Sequence, residues 1–251
     1  MTIDLRSGEW QTVLADVGEV DALIVDAPYS DKTHESHSPR STVLTACKRD
    51  SKWAARGGTR RQIDYACLSP DAVREFVDAW SPRTRGWFVT ITDDVLAPEW
   101  ALRLRAHDRY VFAPLPLVET GSRVRLTGDG PSSWTCWVVV ARPRSLKNWG
   151  TLQGAYVDMN ERKPVIGGKP LGLMRAIVRD YSRPGDLVCD PCAGGATTLI
   201  AAAMEGRRAI GAERDPNTYA LAQKRIAKGY TPPLPGIDDT LAKAKQEGLG
   251  L

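Results

Sequence analysis

Two short stretches hold the residues on which chemistry could rest. DAPY (Asp26, Ala27, Pro28, Tyr29) sets a carboxylate, a restricted turn and an aromatic ring directly behind the apolar run ALIVD at 22–26. That set suits a planar amine: the carboxylate and a main-chain carbonyl accept its two N–H bonds while the ring stacks on its face. An ordinary proline turn has the same four letters, and a lone DAPY favours that plainer reading. CDPCAGGATT at 189–198 poses a choice. Pro191-Cys192 is a pair that a thiol nucleophile would use, whereas an Asp-Pro turn followed by Gly194-Gly195 is shaped to hold a ligand. Glycines allow close backbone approach, and a helix starting behind them offers free N–H groups. Neither GxGxxG nor a lysine after the glycines is present, so nucleotide phosphates are poorly supported. About twenty residues on, RAIGAE ends in Glu213, placed to accept both hydroxyls of a ribose. An adenosine cofactor without a required phosphate is the inference; the plain alternative is that Glu213 caps the helix opening near Asp215.

These residues need strands and helices to position them. Runs at 22–26, 86–91, 109–113, 134–141, 186–190 and 208–213 read as strands, and their scant alternation argues for cover on both faces. Helical spacing occupies 69–80, 98–107, 169–182, 195–206 and 215–229, with start signals at Ser69-Pro70 and Asp215-Pro216. Strands alternating with helices predict an α/β fold, a Rossmann-like doubly wound and mostly parallel sheet. Ligands in such sheets sit at the carboxyl ends of the strands, where Asp26, Asp190 and Glu213 all fall.

At 251 residues the chain holds one good core or two small ones. It has no apolar run of membrane-spanning length and no basic-then-apolar opening, which predicts a cytoplasmic protein. Five cysteines and three histidines at these spacings predict neither a disulfide framework nor a metal site. The net charge of +4 is concentrated between Asp31 and Asp64, where eight basic residues meet four acidic ones. That loop is either a solvated surface or a contact for nucleic-acid phosphates.

Together the stretches resemble the amino-group DNA methyltransferases. DAPY is similar to their motif IV, usually DPPY, and CDPCAGGATT to motif I, typically DPFAGSGTT. GGKPLGLMRAIVRDYSRPGDLV resembles the motif X region, and GAERDPNTYALAQKRI the following motif II strand and helix. Their order, IV then X then I, is the permuted arrangement of the β class. The resemblance implies a class I methyltransferase fold with inserted loops, in one domain over 1–228, followed by a tail at 229–251. It implies S-adenosylmethionine as cofactor and transfer to a flipped base in DNA; Asp at the head of motif IV leans toward adenine N6 over cytosine N4. RNA is a less favoured substrate, and an inactive nucleic-acid-binding subunit is the non-enzyme alternative. Asp26, Ala27, Pro28 and Tyr29 take the catalytic place. Glu213 holds the ribose; Asp190, Cys192, Ala193, Gly194, Gly195 and Thr197 line the cofactor; Lys169 lies near its carboxylate and Glu9 near its adenine. Cys192 then lines a pocket, since the Pro-Cys nucleophile of cytosine carbon-5 enzymes belongs to their catalytic motif. Ala27, Cys192 and Ala196 depart from the usual Pro, Phe and Gly. Target recognition is expected at 145–166, a very short stretch, which leaves it relaxed, shared with the basic 31–64 loop, or divided across a homodimer. A bacterial or phage-type, nucleoid-associated enzyme follows, and no restriction partner can be read from one chain.

Overall fold

The computed structural model describes residues 2–31, 67–121, 130–159 and 168–229. Most of the basic 31–64 loop, the end of the 145–166 segment and the tail from 230 therefore lie outside the described residues. In chain order the elements are β1 (Ile3–Ser7), α1 (Trp10–Val13), β2 (Ala22–Asp26), α2 (Pro70–Trp80), β3 (Phe88–Thr92), α3 (Ala97–Ala106), β4 (Arg109–Val111), β5 (Leu115–Thr120), β6 (Thr135–Pro143), β7 (Tyr156–Met159), α4 (Leu171–Tyr181), β8 (Leu187–Asp190), α5 (Thr197–Met204), β9 (Arg208–Glu213) and α6 (Pro216–Ala227).

Among the described residues all strands join one sheet in the order β1-β9-β8-β2-β3-β6-β5-β7, with β4 also paired to β6. Pairing is parallel from β1 through β3 and antiparallel around β6. The period of two along β2 decides the layers. Leu23 and Val25 point into a cluster with Phe76 and Trp80 of α2 and Trp100 of α3. Ala22 and Ile24 point the other way, among Leu173 and Ile177 of α4 and Leu199 of α5. Helices therefore cover both faces, and the central strands are apolar without alternation, as the sequence predicts.

Helix boundaries follow local chemistry. Ser69 Oγ accepts from Ala72 N at 3.2 Å with Pro70 behind it, and Asp215 Oδ2 accepts from Thr218 N at 2.7 Å ahead of α6. Besides β1, two strands, β5 and β7, lie outside the runs read as strands from the sequence. Pro116 interrupts the apolar run of β5, yet β6 supplies a partner that places it opposite Trp137. β7 buries Tyr156 while leaving Val157 63% exposed at the edge of the sheet, too little apolar pattern to announce a strand. No helix among the described residues is long and apolar enough to cross a membrane.

The sheet order sets the site. From β2 the chain moves to β3 on one side; from β8 it moves to β9 on the other. The crevice where two neighbouring strands wind in opposite directions is where such sheets bind ligands. Here those neighbours are the strands that end in Asp26 and Asp190.

Candidate active site

Register arranges three carboxylates as a notch. Asp190 pairs with Gly211, so Glu213 projects two residues beyond it; Leu23 pairs with Cys189, so Asp26 projects two residues beyond it on the other side. Two residues of strand span about 7 Å. Asp190 is thus the floor, 1% exposed, between two taller carboxylates. Burial pushes the Asp190 carboxyl up to about 7, and the charges of Asp26 and Glu213 add to that. Hydrogen bonds from the Thr198 side chain and the Cys192 amide pull the other way. Burial also raises Glu213, which accepts from Asp215 N at 2.8 Å.

The loop from Asp190 is held by its own backbone. Cys192 N donates to Asp190 Oδ1 at 3.1 Å, Ala193 N to Ala212 O at 2.8 Å, and Ala196 N to Ala193 O at 2.7 Å. Gly194 takes φ 51°, and Ala196 takes φ 62° where the family pattern has glycine. Arg225 of α6 fastens the turn from behind, donating to Gly195 O and, at 3.1 Å, to Thr197 Oγ1. The Thr197 hydroxyl is thus engaged with Arg225, a partner its local sequence does not signal. Cys192 packs its side chain against the α2–α3 cluster. Burial, then the carboxylates of Asp190 and Glu213, drive its thiol well above the ordinary range, the opposite of what a nucleophilic thiolate needs. Glu9 stands exposed at the rim, with Oε1 3.6 Å from Arg214 Nη1.

On the other side of the notch, Ala27 is buried in the α2–α3 cluster and the Tyr29 hydroxyl lies 3.4 Å from Asp26 Oδ1. Lys169 reaches this half of the notch. Its Nζ donates to both Asp26 oxygens at 2.9 Å and lies 5.0 Å above the Tyr29 ring. Burial alone would lower its pKa; the Asp26 charge, with Cys136 and Glu119, raises it above the ordinary lysine value. A second unforeseen residue is Asp93, directly after β3. It accepts from Ser30 N at 2.9 Å, Ser30 Oγ at 2.5 Å and Leu96 N at 3.0 Å, locking the chain after Tyr29 to the start of α3. Tyr29 O accepts from Leu68 N at 3.0 Å, so the basic segment leaves and re-enters the described chain beside the notch.

The 145–166 segment divides. Residues 146–154 lie by the amino end of the sheet, away from Asp26: Trp149 Nε1 donates to Asp180 O at 2.6 Å, and Arg183 stacks on the Trp149 ring at 3.7 Å. They wall a cavity of about 580 Å³ with Trp87, Phe112 and Tyr181. Residues 156–159 form β7. The described part of the 145–166 segment therefore comprises this cavity wall and the sheet-edge strand β7.

With this geometry in place, similarities to known proteins can be weighed. Residues 129–224 match the DNA methylase family of N6 and N4 enzymes. The Type II methyltransferase M.MthZI of Methanothermobacter thermautotrophicus is 38% identical over 80 residues, 31% of this chain and 22% of that protein. The chain thus matches about a fifth of that relative's length. The crystal structure of the M1.HpyAVI–SAM complex superposes with a TM-score of 0.62 at 19% identity, covering 89% of this chain and 100% of that one. The cytosine-N4-specific PvuII DNA methyltransferase gives 0.58 at 13% identity, covering 93% and 88%. Both structural likenesses are of fold, that of the class I methyltransferases. The match over 129–224, the segment that brings Lys169, Asp190 and Glu213 to the notch, is a similarity of that part of the chain to the DNA methylases.

Proposed function

We propose that the protein transfers a methyl group from S-adenosylmethionine to the exocyclic amino group of a base in DNA, at N6 of adenine. The observation that carries this reading is the adjacency of Asp26-Tyr29, Asp190 and Glu213 at the ends of three neighbouring central strands, β2, β8 and β9.

The notch fits that cofactor by charge and shape. Three carboxylates converge there, and a sulfonium-bearing ligand would relieve their mutual repulsion. Glu213 is a half-buried acceptor for ribose hydroxyls, and a Cβ on Gly194 would meet nothing closer than Cys192 O at 4.0 Å. When bound, S-adenosylmethionine supplies an electrophilic methyl group. The protein's residues do the rest. A flipped base pays a few kcal/mol in lost stacking, offset by the Tyr29 ring and by N–H bonds to Asp26. The amino nitrogen's lone pair is delocalised into the base ring. By accepting its N–H, Asp26 favours pyramidal geometry and aims the lone pair into the notch, so positioning and electrostatics drive a direct displacement. The basic segment, anchored at Tyr29 and Leu68, is suited to the DNA backbone. Asp26 before Asp190 in the chain is the β-class order.

The test is transfer of labelled methyl from S-adenosylmethionine to mixed-sequence DNA and, in parallel, RNA, with products digested and identified by mass spectrometry. N6-methyladenine from DNA is expected, and Asp26→Ala is expected to abolish it with cofactor binding retained. N4-methylcytosine would keep the mechanism and change the base. Label at cytosine carbon 5, or near wild-type turnover of Asp26→Ala, would overturn the reading.

A further inference from the structure

The geometry points to Lys169 as the positioning residue of Asp26, acting on the catalytic carboxylate rather than on the cofactor. The inference rests on the methyl-transfer reading above and assigns this side chain a different role from the one the family resemblance implies.

Lys169 is 5% exposed and stands next to Pro170, the N-cap of α4, so its backbone leads directly into the helix that packs across the sheet. Its ammonium lies 2.9 Å from Asp26 Oδ1 and 2.9 Å from Oδ2. Equal bonds to both oxygens fix the carboxylate plane, which a single bond would leave free to rotate. An ionised carboxylate has about four lone-pair sites. Lys169 takes one on each oxygen and the Tyr29 hydroxyl contacts Oδ1 at 3.4 Å, so the lysine by itself does not saturate the carboxylate. The Tyr29 ring, 5.0 Å from the same ammonium, ties the stacking surface to the same point. Lys169 thereby sets the relative placement of the acceptor and the ring that are to hold the base. A misplacement of about 1 Å at such a point lowers rates on the order of 10²-fold.

The full chain, as wild type, Lys169→Met and Lys169→Arg, is titrated with S-adenosylhomocysteine by calorimetry. Each is then assayed for single-turnover methyl transfer to duplex DNA at saturating S-adenosylmethionine. Lys169→Met is expected to bind S-adenosylhomocysteine within about twofold of wild type while its transfer rate falls on the order of 10²-fold; Lys169→Arg, which keeps a bidentate cation, recovers most of the rate. A loss of tenfold or more in S-adenosylhomocysteine affinity, with the rate at saturation retained, would make Lys169 a cofactor ligand and overturn the inference. Lys169→Met leaves Asp26 without its cation and could fail to fold. The pair-neutral variant Asp26→Asn/Lys169→Met then carries the binding test, where unchanged affinity supports the inference and a tenfold loss overturns it. Failure of the functional reading looks different: wild type binds S-adenosylhomocysteine yet labels neither DNA nor RNA.

Discussion

Asp190 is a carboxyl group held where charge is expensive, so Asp190→Asn should make the protein more stable while weakening its cofactor site. In the folded protein the group keeps its proton to about pH 7, chiefly because it is buried; its ordinary value is 3.8. Between those values the native state binds more protons than the unfolded chain, so stability falls as pH rises through this window and stays low above it. About three pH units at 1.36 kcal/mol each set a ceiling of about 4 kcal/mol on the destabilisation at pH 8. Asparagine mimics the neutral acid. Its Oδ1 can still accept from Cys192 N, and its amide can donate toward Thr198. Urea unfolding of the cofactor-free protein, followed by tryptophan fluorescence from pH 4 to 8.5, reads the difference. The variant is expected to gain about 2–4 kcal/mol at pH 8, roughly 10 °C in Tm, and nothing near pH 4. A variant no more stable than wild type at pH 8, or one whose advantage does not change with pH, would refute the reasoning.

Two further substitutions probe the scaffold of the notch. A Cβ on Gly211 would stand 2.5 Å from the Asp190 carbonyl oxygen and 3.1 Å from a Leu199 methyl, and neither backbone nor packed core can yield cheaply. Gly211→Ala should therefore lose about 1–3 kcal/mol in urea unfolding and weaken S-adenosylhomocysteine binding by moving Asp190; unchanged values for both would contradict the close approach of β8 and β9. Asp93→Ala leaves Ser30 N, Ser30 Oγ and Leu96 N without their acceptor in a buried setting. A loss of about 3–5 kcal/mol, with a slower transfer rate and intact cofactor binding, is expected from denaturation and single-turnover assays. Wild-type stability would show that water replaces the carboxylate without penalty.

The legible parts of the fold were those written locally. ALIVD is a strand with the expected limits because five apolar or terminal acidic residues in a row fit only a doubly covered strand. Ser69-Pro70 and Asp215-Pro216 open helices because each supplies a side-chain acceptor and a fixed φ on the spot. β5 and β7 were hidden because their strand character is conferred by neighbours: β6 offers Pro116 a partner, and β5 offers one to Tyr156. Around the notch, the placement of Asp26, Asp190 and Glu213 at strand ends could be read from the sequence. Side chains recruited from afar could not. Lys169 meets Asp26 across 143 positions, and Asp93 meets Ser30 across 63. Nothing in GGKP or ITDDV signals those partners.

The pairing of β2 with β8 also constrains how the molecule is made. Leu187 N donates to Asp21 Oδ2, a contact between residues 166 positions apart, and the two halves of the notch share that seam. Contacts so distant in sequence close late, after the loop entropy between them has been met. Until β8 docks, ALIVD presents an unpaired edge of buried-type residues, the kind of strand that seeks other chains. A nascent or truncated polypeptide ending before residue 187 is therefore expected to be aggregation-prone as well as inactive. Catalytic competence and solubility would then be acquired in the same folding step.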